Sequence, residues 1–167
     1  GSGAAPVLRV DYTPPAPNIL VVKSATVLED PVTGVSANAQ AIPGATVQYS
    51  ILITNSGTAS PDTDSLDIID TIPANTAIVM DDFGGVGSGP VGFVDGSPSS
   101  GLTYTFISVS DLADDIVFLD AADSPIIPAA SGLDPSVRKI VINPKGTFGF
   151  STTGNPSFTL MFKVEIQ

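Results

Sequence analysis

The 167-residue chain contains no cysteine and no histidine. Without cysteine there is no disulfide, no zinc–thiolate centre and no thiol nucleophile. Without histidine the commonest general base and metal ligand is missing, and a Ser-His-Asp triad is excluded. Charge is also scarce, at 14% of residues against a usual quarter. Six cations stand against seventeen acids, giving a net charge of −11. Such a chain repels nucleic-acid phosphates and anionic lipid, which sets both aside as partners. No apolar run approaches the roughly 18 residues of a membrane-spanning helix, so no membrane insertion is expected. Asn155-Pro156-Ser157 is blocked by its proline, which leaves no Asn-x-Ser/Thr glycosylation acceptor, while Ser/Thr-linked sugars stay open. The segment Gly84-Gly85-Val86-Gly87-Ser88-Gly89 lacks the Lys and helix of a phosphate-binding loop and reads as a plain loop. No pair of carboxylates is singled out for glycoside hydrolysis. We therefore expect no enzyme.

Hydrophobic residues make up 43% of the chain, enough for a globular core in a single domain. The acids are nearly all Asp, with only Glu29 and Glu165 as exceptions. Asp favours turns, so most acids belong in loops. No segment sustains a helical period. Strict alternation appears instead at Val47, Tyr49, Ile51 and Ile53, and again at Phe158, Leu160, Phe162, Val164 and Ile166. Further strands are expected at Ile19–Val27, as a buried strand, and at Leu66–Ile72, Leu102–Phe106 and Val137–Ile142. Gly, Pro and Asn turns separate them. This pattern predicts an all-β, two-sheet antiparallel sandwich over residues 19–167. Residues 81–101 are rich in Gly, Pro and Ser and read as an insert leaving the sandwich, with a short strand at Val91–Val94.

Residues 1–18 differ from the rest. Val7-Leu8-Arg9-Val10-Asp11-Tyr12 has a strand pattern, with Leu8, Val10 and Tyr12 on one face. Thr13-Pro14-Pro15-Ala16-Pro17 follows as a stiff polyproline-like joint. Gly1-Ser2-Gly3 fits either a cloning scar or a processed N-terminus. The whole reads as an extended N-terminal arm on a spacer.

Two stretches carry a family resemblance. Pro43-Gly44-Ala45-Thr46-Val47-Gln48-Tyr49-Ser50-Ile51-Leu52-Ile53-Thr54-Asn55-Ser56-Gly57 resembles the pattern P-G-x-T-V-x-Y-x-I-x-V-x-N-x-G. Asp67-Ile68-Ile69-Asp70-Thr71-Ile72-Pro73 resembles V-x-I-x-D-x-I-P, and Val22-Lys23-Ser24 resembles a V-x-K opening. Together they resemble the microbial cell-surface conserved-repeat β-sandwich family, domain of unknown function eleven. The resemblance implies an immunoglobulin-like sandwich, exported to the cell surface, without catalytic residues. This chain departs from it in being a single copy and in carrying the 81–101 segment.

Three sets of residues are candidates for function. The arm residues Val7, Leu8, Val10 and Tyr12 suit strand donation to a neighbouring copy, which would build an open polymer. The alternatives are an arm folded back on its own domain, or a linker. Lys23 shares the Ile19/Val21 face, where Asp67 or Asp70 would be the partner for an isopeptide bond, and the alternative is an ordinary strand-end lysine that reaches water. Asp62, Asp64, Asp67, Asp81 and Asp82 are clustered loop acids that suit Ca²⁺, although no EF-hand spacing is present. Otherwise no cofactor is expected, and such acids also serve solubility and turn formation. The sequence thus predicts a non-enzymatic extracellular structural subunit that self-assembles into a filament or surface layer. The competing readings are a monomeric adhesin or carbohydrate-binding module that uses the 81–101 loop, and an excised domain of a larger wall protein. Partners would be copies of the chain itself, surface glycans or other cell-wall proteins.

Overall fold

The computed structural model describes residues 13–111 and 113–167. Twelve strands form, and no helix occurs among the described residues. They are β1 (Ile19–Asp30), β2 (Gly34–Val35), β3 (Thr46–Asn55), β4 (Ile68–Thr71), β5 (Thr76–Val79), β6 (Gly92–Asp95), β7 (Leu102–Thr103), β8 (Ile116–Leu119), β9 (Leu133–Asp134), β10 (Lys139–Ile142), β11 (Lys145–Gly146) and β12 (Ser157–Ile166). Every paired strand is antiparallel.

The larger sheet runs β2-β1-β3-β12-β5-β9, with β6 also on β12. The smaller runs β4-β10-β8. β7 and β11 make a separate pair. The two main sheets share one core, in a sandwich-like arrangement. Phe158, Leu160, Phe162 and Val164 of β12 are fully buried, as are Ile140 and Ile142 of β10. In β3 the alternation holds as expected, with Val47, Ile51 and Ile53 buried and Tyr49 half-buried. Pairing fixes the reason: Phe158 lies opposite Ile53, Leu160 opposite Ile51 and Phe162 opposite Tyr49. Apolar side chains on one face of both strands must bury together.

Three expectations change, and one strand appears that the sequence did not mark. β1 is not buried but lies near the sheet edge, and Leu20, Val21 and Val22 are about half exposed or more. The segment 81–101 is not a free excursion, because β6 pairs with Phe158–Met161 of β12. Leu102–Phe106 is a strand only at Leu102 and Thr103. Beyond it, Asp115 and Asp114 carboxylates accept the N–H groups of Thr105, Ile107 and Ser108, replacing a strand partner. Conversely the acid-flanked run Ile116–Leu119 is a strand, β8, because Ile116 and Phe118 enter the core.

Loops are held by aspartates. Asp30 accepts from the Thr33 hydroxyl and from the N–H groups of Thr33, Gln40 and Val32. These bonds hold its carboxyl well below the usual range. For Asp95 burial pushes upward, but the Ser100 and Ser99 hydroxyls and the N–H groups of Ser100 and Gly96 outweigh it. For Asp134 burial is likewise outweighed, by the Ser136 hydroxyl and the N–H groups of Ala129, Ser136 and Val137. All three are depressed, so each contributes stability that is complete above the unfolded carboxylate value of 3.8. That contribution fades as pH falls below it. Thermal unfolding followed by circular dichroism should therefore show a flat midpoint from neutral pH to about 5 and a steep fall below about 4. Asp30→Asn should lower the plateau and flatten the fall.

Candidate functional site

The arm residues Val7, Leu8, Val10 and Tyr12 lie outside the described residues. What is described is the joint that follows them. Residues 16–18 lie against the turn that follows β3. Ala16 accepts from the N–H groups of Thr58 and Ala59, and Asn18 accepts from that of Ser56. The Ala16 N–H donates to the Thr58 hydroxyl. Gly57 permits this approach, since a Cβ there would sit 2.4 Å from the Ala16 carbonyl oxygen.

Asn55 organises the turn and is fully buried. Its Oδ1 accepts from the N–H groups of Asn18 and Gly57, and its Nδ2 donates to the carbonyls of Ala59 and Gly149. The sequence marked Asn55 only as a turn former. A buried amide with four satisfied bonds fixes where residues 13–18 emerge. Thr13 to Pro17 are exposed.

Among the described residues, the side of the sandwich beside β1 is open. β1 pairs with β3 along its length, but its other edge meets only β2, at Glu29 and Asp30. Among the described residues, Ile19–Leu28 has no partner on that edge. Register places Val21, Lys23 and Ala25 on the face shared with Ile53, Ile51 and Tyr49, yet all three are exposed. The smaller sheet does not reach over them. Its end strand, β4, is open as well. On the outer face Val22 lies opposite Leu52, and Leu52 opposite Thr159, which pairs with Val94. Val22, Leu52 and Val94 are exposed by 59%, 41% and 52%, a row of uncovered apolar side chains across the sheet.

One bridge spans the open side. Lys23 Nζ lies 2.7 Å from each carboxylate oxygen of Asp70 in β4 and donates to Oδ1. It also sits 4.3 Å from the Tyr49 ring centroid and 5.6 Å from that of Phe162. Two stacked rings and a carboxylate thus hold one ammonium. Of the two acids the sequence offered, Asp70 meets Lys23. Asp67 is elsewhere, accepting from the Asn143 side chain at 2.8 Å. Isopeptide condensation joins a neutral amine to a protonated carboxyl with loss of water, and a second acid must carry the proton. No further acid is hydrogen-bonded or ion-paired to either group among the described residues. The geometry is that of an ion pair tying the larger sheet to the smaller one.

Three of the five calcium candidates hold loop backbone. Asp64 accepts from the Gly146 N–H, Asp81 from that of Gly132, and Asp82 from those of Gly87 and Gly89. Asp62 accepts only through its carbonyl, from Ser65. No group of three acids poised for a metal occurs among the described residues.

The 81–101 segment builds a second feature that the sequence did not locate. Phe83, Phe93, Tyr104 and Phe106 line an open cavity of about 630 Å³, with Ser88 and Thr105 as polar neighbours. Gly92 and Gly89 admit the rings of Phe83 and Phe106, since a Cβ at either would lie 2.5 Å from ring carbon. The Tyr104 hydroxyl is buried without a hydrogen-bond partner. Burial, and then the charges of Asp114 and Asp115, push its pKa upward.

The intact mass of the purified chain should equal the sequence mass, and a deficit of one water would show a Lys23–Asp70 amide instead. Lys23→Met should cost about 1–3 kcal/mol in denaturant unfolding, because the Asp70 carboxylate loses its partner. The double variant Lys23→Met/Asp70→Leu should recover most of that loss. Comparison of the chain with protein-family models, curated proteins and solved structures finds no match in any of the three.

Proposed function

We propose that the chain is a non-enzymatic structural subunit, immunoglobulin-like in its sandwich, that polymerises outside the cell by donating its N-terminal arm to the next copy. The observation that carries this reading is the open side of the sandwich. It combines a β1 edge that is unpaired among the described residues with uncovered apolar side chains, in a chain whose residues Val7–Tyr12 have a strand pattern. Strand addition supplies main-chain hydrogen bonds for direction and apolar contacts for burial. The site on one copy is its edge, and the donor is its arm. Such a contact is heterologous, so it propagates into a fibre or layer unless the rotation closes a ring. The net charge of −11 opposes self-association at low ionic strength. Assembly should therefore strengthen with moderate salt.

The aromatic cavity favours a second reading, a surface module that binds neutral sugars. Flat rings accept the C–H face of a sugar while hydroxyl groups meet Ser88 and Thr105.

One experiment separates the two. Chains with and without residues 1–18 are compared by negative-stain microscopy and sedimentation. The subunit reading expects polymers only from the full chain and a folded monomer from the truncated one. Dispersed monomers from both, with glycan binding lost on Phe106→Ala, would replace it with the second reading.

A further inference from the structure

We infer that the acceptor for the incoming arm is the free edge of β1, with Leu8, Val10 and Tyr12 of the donor facing inward over Val21, Lys23 and Ala25. This rests on the proposed polymerisation and specifies its interface. The partner is a second copy of this chain.

Length selects the strand. Val7–Tyr12 needs roughly 20 Å of edge at about 3.3 Å per residue. β1 has 12 residues, of which Glu29 and Asp30 pair with β2. The remaining ten, Ile19–Leu28, offer about 33 Å. β4 and β6 have four residues each, about 13 Å, too short for six.

Protection points the same way. Edge strands are ordinarily blunted by proline, bulges or charge, including charge turned inward. From Ile19 to Thr26, β1 has no proline, bulge or outward charge. Its one charge in that stretch, Lys23, is turned inward and neutralised by Asp70. The register break between Val27 and Glu29 comes only where β2 takes over the edge. An edge this long, regular and apolar has been left available.

The arm's face follows from what is uncovered. Val21 and Ala25 point between the sheets but meet solvent, because the smaller sheet stops at β4. A donor with Leu8, Val10 and Tyr12 inward closes that gap and caps the Lys23–Asp70 pair. Arg9 and Asp11 then face out, beside Leu20 and Val22. The arm of the same copy is poorly placed for this. Residues 16–18 are fastened to the turn at 56–59, and the proline joint opposes an immediate reversal.

The absence of native cysteine makes the test clean. Chains with Val10→Cys are mixed with chains carrying Val21→Cys or Ala25→Cys, assembled, oxidised and mapped by mass spectrometry. Ile69→Cys in β4 and Val94→Cys in β6 serve as alternative acceptors, and all four acceptor sites are exposed, so the fold should tolerate them. A disulfide between position 10 of one chain and position 21 or 25 of another is expected. Val10→Asp should raise the critical concentration about tenfold or more, and Arg9→Ser should change it little. Polymers that cross-link only to position 69 or 94, or to none, would overturn the β1 acceptor while leaving polymerisation intact. A full chain that never polymerises would overturn both. A disulfide formed within one monomer carrying Val10→Cys and Val21→Cys would show that the arm folds back on its own domain.

Discussion

The antiparallel pairing of β3 with β12 is the contact on which the rest of the structure depends. It runs unbroken from Ser157 opposite Thr54 to Glu165 opposite Thr46. Each strand places one apolar face on the core, and each offers its far edge to a different set of strands. β12 takes β5 and β6, while β3 takes β1. The smaller sheet then covers the apolar face of this pair. It has three strands against seven, and its end strand meets β1 through the Lys23–Asp70 pair. Val21 and Ala25, on either side of Lys23, are left exposed on their inward face.

The same inequality explains Lys23. A lysine pointing between two sheets is normally costly, because burial disfavours its charged form. Here the rim is only partly covered, with Lys23 35% and Asp70 13% exposed. The ammonium keeps access to water, two aromatic faces and a carboxylate. The pair acts as a clasp where a missing strand would otherwise supply packing. The aspartates elsewhere play a humbler part. Asp30, Asp82, Asp95, Asp114, Asp115 and Asp134 each accept backbone N–H groups of the loops around them. Much of the large negative charge is thus a by-product of turn-making in a chain with many loops.

The long strands were legible in the sequence because period-two alternation survives wherever one face is buried and the other wet. β3 and β12 follow it residue by residue. β1 was placed correctly but read as buried, since Ile19–Val22 is an apolar run and an apolar run does not say which side lacks a neighbour. β2, β5, β8, β9 and β11 were missed, most of them being too short to establish a period. The strand expected through Phe106 failed because carboxylates ten residues or fewer away compete for its N–H groups. Asp67 and Asp70 were offered as isopeptide partners of Lys23, from its place on the Ile19/Val21 face, against a lysine that simply reaches water. Selecting Asp70 over Asp67 required the alternation of β4, which turns Asp70 inward beside buried Ile140. Asn55 and the aromatic cavity had no signal beyond turn composition and scattered Phe residues.

The central claim is that the free edge of β1 receives a strand when copies associate. Amide hydrogen exchange across Ile19–Leu28 addresses it directly, comparing the truncated monomer with the assembled full chain. The amides of this stretch that do not donate to β3 should exchange rapidly in the monomer and become strongly protected on assembly. Polymers in which those amides exchange as fast as in the monomer would contradict the account.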